Sequence, residues 1–445
     1  MLGVAAPPVS MEDTTPATPF LASAEAADVR GVRAGLVTFV GIAAANGATY
    51  VFNFVSARYL GPRSYADIAT LTALISLIGL PLAAIQFVVA RDVARILVAR
   101  GAGGVASYVG RAFATMVAVG LVATAVFLVA VPLVRTGLHI RSSAAITLTA
   151  IATSAAFAAP VLIGASQGLQ RFGIVAAALA VGPLARIPLL AAVLAAGWGV
   201  AGAMGATFVS GAISVVIPAA LLGRTNLRIQ LRPRLPSWER VTEVAPVLIG
   251  VLALTGLTTD DLLVAKAAFD NHTAGIYSSA SLIGRVLLYL PGAIVTVLLP
   301  KVASRAAANR DTRDILRSSL LVTAGFCLAG CIAYAAAGSL VVRIVFGSSY
   351  AAASGLLWRF GIAMTAYAVL NVLLTYTLGH RRTATAWLLG VGLVVQSVAF
   401  AVFHASPVEL VTASIAVAVA LVVAHEALVL PVLRPQAKAR RRPAQ

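Results

Sequence analysis

The chain is predicted to be an all-α membrane protein of about twelve transmembrane helices, arranged as two six-helix lobes related by an internal repeat. Three observations lead there. Hydrophobic residues make up 60% of the chain and charged ones 11%, against roughly 45–50% and about 25% in soluble domains. Twelve apolar stretches are each long enough for a bilayer core of about 30 Å, which takes about 20 helical residues. Finally, the segment Tyr59-Leu60-Gly61-Pro62-Arg63-Ser64-Tyr65-Ala66-Asp67-Ile68-Ala69 has a counterpart some 209 positions later, Ala268-Phe269-Asp270-Asn271-His272-Thr273-Ala274-Gly275-Ile276-Tyr277-Ser278. In both, an apolar span ends at a cation (Arg58, Lys266), a polar turn follows, and a long apolar span interrupted by one proline (Pro81, Pro291) runs into a basic cluster. Two like halves in a membrane place a transport path between them.

The expected spans, in order, are 34–57, 66–90, 107–134, 143–167, 173–196 and 199–222, then 244–266, 275–300, 316–338, 351–378, 383–403 and 407–432. Residues 1–32 lack the basic and apolar regions of a signal peptide and read as a disordered cytoplasmic tail. The first lobe covers 33–223 and the second 244–432. Between them, 224–243 carries Arg224, Arg228, Arg232, Arg234 and Arg240 with Pro233, Pro236 and Trp238, a composition suited to lying on the inner headgroups. Residues 433–445 form a basic tail.

The net charge of +18 is a topology signal. With both termini cytoplasmic, twenty-four of the thirty-three Lys and Arg residues fall on the inner side, six on the outer side (Arg58, Arg63, Arg135, Arg141, Lys266, Arg343) and three within spans. That is the positive-inside distribution of a multi-pass plasma-membrane protein. It argues for anionic lipids as partners and against nucleic acid.

Catalytic signatures are missing. The three lysines (Lys266, Lys301, Lys438) belong to no phosphate loop, there is no His-Glu-x-x-His, and Cys327 and Cys331 are read as packing residues. Every expected outer loop is short, so a large extracellular catalytic domain is excluded. The expectation is a non-enzyme without cofactor or metal.

Ionisable groups deep in a span are costly and tend to face protein or a cavity. Arg186 lies mid-span between Pro183 and Pro188, whose freed carbonyls are available to its guanidinium. Arg285 sits about ten residues into the eighth span, and Arg359 near the outer end of the tenth. Asp260 and Asp261 are adjacent in the outer half of the seventh span. One can serve as counter-ion to Arg285 and the other as a carrier of a proton or cation; a purely structural ion pair fits equally well. Asp67, Glu409 and Glu426 are placed at the interfaces. Polar stripes appear at Asn46, Tyr50 and Asn53 in the first span and at Arg359, Tyr367 and Asn371 in the tenth, with Gln86 in the second.

Several short segments then resemble one family. They are Ala57-Arg58-Tyr59-Leu60-Gly61-Pro62 with Tyr65, Gly164-Ala165-Ser166-Gln167-Gly168-Leu169-Gln170-Arg171-Phe172-Gly173, Ala274-Gly275-Ile276-Tyr277-Ser278, Leu298-Leu299-Pro300, and Val345-Phe346-Gly347-Ser348-Ser349-Tyr350-Ala351-Ala352-Ala353. In order and spacing they resemble the polysaccharide-exporter and O-antigen flippase branch of the superfamily that also holds the multidrug and toxin extrusion carriers. The resemblance implies a V of two lobes around a central cavity. It implies a polyprenyl-diphosphate-linked glycan as cargo, moved from the inner to the outer leaflet by alternating access. Arg186, Arg285 and Arg359 would hold the diphosphate, matched by location and charge; Asn46, Asn53, Gln86 and Asn371 are suitable partners for sugar hydroxyls. Glycosyltransferases or a polymerase of the same pathway are further partners under this reading. Two alternatives remain: a cation-coupled exporter of drugs or metabolites on the same fold, dependent on Asp260 and Asp261, and a non-transporting scaffold for glycan assembly.

Overall fold

The computed structural model describes residues 18–223, 238–289, 312–380 and 382–429. Residues 1–17, Arg224 to Arg234 of the expected link, Pro291, the basic run Lys301/Arg305/Arg310 and the tail 433–445 lie outside the described residues.

The described chain is all helix and turn. The first helix, α1 (Thr18–Val129), is continuous except at Gly61 (φ 75°) and Gly101 (φ 61°), where the backbone enters the left-handed region and the rod turns. Glycine is the residue that takes this conformation without a Cβ penalty. The two corners divide α1 into the first three expected spans. The first lobe continues with a short α2 (Val131–Gly137), α3 (Ser143–Gly168), α4 (Phe172–Ala195) and α5 (Gly199–Gly223). The second lobe comprises α6 (Trp238–Leu257), α7 (Asp260–Ala268), α8 (Asn271–Gly284), α9 (Val286–Tyr289) and α10 (Arg313–Val345). It ends with a 3-10 turn (Ser348–Ala353), α11 (Ser354–Gly379), α12 (Ala384–Val402) and α13 (Pro407–Ala424), which runs into a π-helical turn (His425–Val429).

Nine described helices are long and apolar enough to cross a membrane. The first holds three spans, and the eighth expected span begins at α8 and runs past Tyr289 out of the described residues, so the twelve-span, two-lobe architecture stands. Three boundaries differ from expectation. α1 begins at Thr18, inside the stretch 1–32 expected to be a disordered tail. α6 begins at Trp238, inside the stretch assigned to the link, and the seventh span is two helices, not one.

Within the first lobe, small residues bring helices into backbone contact, the usual device where lipid supplies no hydrophobic drive. On α3, Gly164 faces the Gln86 carbonyl, and a Cβ at Gly168 would sit 2.6 Å from the Ala90 carbonyl oxygen. Outward faces remain apolar and exposed, as lipid contact demands: Leu121, Val122 and Val126 on α1, and Leu321, Leu328 and Ile332 on α10.

The lobes meet mainly through α1 against α6, α7, α8 and the 3-10 turn. The contact lies at the end that carries both copies of the repeat. Lys266 of α7 pairs with Asp67 of α1 at 2.6 Å, both almost fully buried. Arg58 donates to the Ile344 carbonyl (3.2 Å) and Tyr350 to the Ala57 carbonyl (2.9 Å). Phe54 and Tyr65 of the first lobe pack their rings on Phe346, and Tyr65 also meets Tyr350. Gly275 lies directly on the Pro62 carbonyl, with no room for a Cβ. One apolar cluster runs through this junction, from Phe52 and Tyr65 into the second lobe. At the opposite end the first lobe has a core of its own, Val89, Val93, Val105, Val109, Val161, Leu162 and Leu222 among others, separate from that cluster.

Candidate functional site

The second lobe builds a polar centre around the break between α6 and α7. The Thr258 hydroxyl donates back to the Leu254 (2.9 Å) and Thr255 (3.1 Å) carbonyls, and Thr259 leaves the helical region at φ −137° and ψ −27°. Hydroxyls bonded to the preceding turn compete with the backbone ladder and favour such bends. The new helix then opens on Asp260 and Asp261, in the first turn, where exposed backbone N–H groups and the helix dipole favour negative charge.

Asp261 is 3% exposed. One of its oxygens faces Arg285 at 3.3 Å and the other accepts from Ser281 at 3.3 Å. Arg285 stands at the step between α8 and α9, so its backbone is itself at a helix junction. Asp260 accepts from the Gln396 amide of α12 at 2.8 Å, and the same nitrogen reaches the Leu257 carbonyl at 2.8 Å, closing the broken end of α6. Tyr367 of α11 donates to the Gln396 oxygen at 2.5 Å. Four elements thus converge on two carboxylates. Among the described residues, Asp260 Oδ2 and Arg285 Nε are buried without a hydrogen-bond partner, while the Tyr277 hydroxyl is directed at Asp261. Buried polar atoms are nearly always paired, so two such atoms in one cluster mark a place for a further ligand. Two carboxylates face one guanidinium here, and the deficit is of positive charge.

Arg186 behaves differently. It lies on α4, which runs unbroken through Pro183 and Pro188, and is 8% exposed. Its guanidinium rests on the Phe52 ring at 3.3 Å, while Nε and Nη2 find no hydrogen-bond partner among the described residues. The proline-freed carbonyls are not what holds it. Arg359 lies over Trp358 (4.4 Å) and donates to the Gly355 carbonyl at 2.7 Å, one turn back along its own helix. Among the described residues no contact joins the three arginines.

The amides also separate. Asn53 is 3% exposed and occupied: it donates to the Thr49 carbonyl (2.9 Å) and accepts from Tyr65 (3.3 Å). Asn46 is exposed, and Gln86 and Asn371 are half-buried.

Sequence reasoning missed three features. Asp67, expected near a span end, is buried against Lys266, which also reaches Asn271. Gln396 ties the acidic pair to α12; its signal was a lone amide in an otherwise apolar span. His425 is fully buried in the π-helical turn and shares a 3.0 Å hydrogen bond with Thr385. Cys327 and Cys331 are free thiols directed at Leu287 and Thr365, and no described group of His, Cys, Asp and Glu has the geometry of a metal site.

No protein-family model and no curated protein matches the chain. Solved structures do. An inward-facing conformation of a multidrug resistance MATE family transporter of the MOP superfamily superposes with a TM-score of 0.68 at 15% identity, covering 87% of this chain and 96% of that one. An outward-facing conformation of such a transporter gives 0.58 at 16% identity, covering 90% and 96%. A MATE structure in complex with MaD5 gives 0.61 at 17%, again covering 90% and 96%. These matches correct the expectation of a glycan flippase. The solved structures they identify are from the multidrug branch and not the polysaccharide-exporting one, and the roles of polysaccharide biosynthesis and of a lipid-linked glycan partner fall with it. Among the described residues Arg285 is engaged by Asp261 and Arg359 by its own helix. The chain is an all-α, multi-pass membrane protein with the twelve-helix, two-lobe fold of the MATE transporters of the MOP superfamily.

Proposed function

We propose that this protein is a cation-coupled exporter of drugs or metabolites that works by alternating access between its two lobes, 33–223 and 244–432. The observation that carries the reading is the second-lobe centre, where buried Asp261 and half-buried Asp260 stand beside one half-buried arginine, with unpartnered polar atoms on two residues. A cluster short of positive charge inside a membrane suits a proton or metal cation that enters and leaves, because an ionisable group is otherwise an expense there. The carboxylates are the coupling groups; Arg285 limits their combined charge so that a single cation balances it. Asn46, Gln86 and Asn371 remain available to a cargo between the lobes.

The orientation follows from the positive-inside distribution, with both termini cytoplasmic in the plasma membrane. The joined end of the lobes is then the outer end, and the state described is closed outward. The better superposition on the inward-facing transporter supports this. The link 224–243 and the tail 433–445 would lie on anionic inner-leaflet lipids.

The test is efflux of a fluorescent lipophilic cation from proteoliposomes under an imposed proton or sodium gradient. Wild type should respond to one of the gradients, and Asp260→Asn/Asp261→Asn should not. Gradient-driven efflux of wild-type size in that double variant would overturn the proposal.

A further inference from the structure

The two ends of α7 hold two different polar sites. Its first turn carries Asp260 and Asp261, and its last turn carries Lys266, whose ammonium pairs with Asp67 of the other lobe at 2.6 Å. Five residues separate Asp261 from Lys266, about 7.5 Å along a helix, and the rotation between them turns the one toward α8 and the other toward α1. α7 is also mechanically distinct. It is flanked by non-helical residues on both sides, Thr259 (φ −137°, ψ −27°) and Phe269 (φ −107°, ψ 160°), and so forms a short rod between two joints.

The Lys266–Asp67 pair differs from the other described ion pairs in joining the lobes. Its side chains are 1% and 5% exposed. Asp67 also lines an open cavity with Arg63, Ser64 and Arg141, so water and a second cation are at hand when Lys266 withdraws, and the contact can be made or broken without leaving a charge uncompensated in a dry interior. A bistable contact of this kind is the material of a switch.

We propose that α7 transmits the occupancy of the Asp260–Asp261 site to the outer junction. Filling or neutralising the carboxylates re-seats the first turn of α7 against Arg285 and Gln396, and the rod withdraws Lys266 from Asp67, so the lobes part at the outer end. Lys266 and Asp67 are positioning residues: they touch neither cargo nor coupling cation and set which face is open. The inference rests on the reading of Asp260 and Asp261 as the coupling site.

The experiment uses the full chain in nanodiscs with spin labels at Arg63→Cys and His272→Cys, both exposed at the junction, after serine replacement of the two native cysteines. Lys266→Met should raise the ratio of long to short distances, and the exchange Asp67→Lys/Lys266→Asp should restore the short one. Asp260→Asn should raise the same ratio by roughly 5–150-fold, the usual range for coupled sites, and should add little in a Lys266→Met background. Gly275→Val, which wedges the Pro62 contact without touching any charge, confirms that the labels read opening in a folded protein. A charge exchange that fails to restore the short distance would mean that the pair is only structural, and would overturn the proposal. Asp260→Asn with lost transport but unchanged distances would overturn the coupling and leave the exporter reading intact. Retained gradient-driven efflux in the Asp260/Asp261 double variant would instead remove the exporter reading itself.

Discussion

Each lobe buries one arginine near its middle, and the two are held in opposite ways. Arg186 of the first lobe lies on the face of Phe52 with two of its nitrogens unpartnered. Arg285 of the second lobe is paired with Asp261, inside a network that reaches Ser281 and, through Asp260, Gln396 and Tyr367. Similar scaffolds have been given different interiors. An arginine on an aromatic face is a fixed cation that demands no acid and responds little to ion traffic. An arginine that shares two acids sits in a set whose net charge changes with each proton or cation. Under the proposed function, the difference places coupling in the second lobe and gives the first a passive role.

The sharpest way to break the comparison is to remove one side of the pair. Asp261→Ala leaves Arg285 buried and uncompensated, and should cost about 3–5 kcal/mol of stability, read as a large fall in thermal unfolding temperature in detergent. The joint change Asp261→Leu/Arg285→Met should recover most of that loss while transport stays abolished. Tyr367→Phe strands the Gln396 oxygen and should cost roughly 1–3 kcal/mol, with gradient-driven efflux reduced but present. The repeated corner extends the contrast. In the second lobe Asp270 caps α8 through the Thr273 hydroxyl (2.5 Å) and the His272 N–H (2.9 Å), whereas the first lobe turns on Gly61. Asp270→Ala should cost about 1 kcal/mol at neutral pH. The Thr273 hydroxyl bond, aided by the backbone N–H groups of His272 and Thr273, holds the Asp270 carboxyl below its usual range. Its contribution is therefore present above the unfolded value of about 4 and lost as pH falls through the lower folded one, so wild type and variant should converge in acid. The smallest effect belongs to the first lobe: Arg186→Met should change stability by no more than about 1 kcal/mol, because the lost ring contact is offset by relief of a desolvated charge. A cost at Arg186 as large as that at Asp261 would erase the contrast.

Much of this was legible in the chain. Span number, the division into lobes and the meeting of Asp260, Asp261 and Arg285 in one lobe followed from hydropathy, the repeat and the rarity of charge in apolar spans. What escaped had physical reasons. The break in the seventh span has no proline; it follows Thr255 and Thr258, whose hydroxyls bond to the preceding turn, a weak signal. Lys266 and Asp67 were each near a span end, where charge is ordinary, and only the docking of the lobes buries them together. Gln396 was one amide among apolar neighbours with nothing local to give it a partner. Cargo class was the largest error. The diphosphate cargo came from a resemblance carried by short segments, to which Arg186, Arg285 and Arg359 were matched by location and charge, and short segments shared across a superfamily do not separate its branches.

The separate core at the end of the first lobe away from the junction has a consequence for how the protein comes apart. Val93, Val105, Val161 and their neighbours pack on one another and not on the cluster that runs through the junction. Cooperative units of stability tend to follow such divisions. Amide hydrogens at that end should exchange as their own group, at a lower free energy than those around Tyr65 and Tyr277. Thinning the bilayer should loosen this unit first, which makes the lipid itself a setting on the protein.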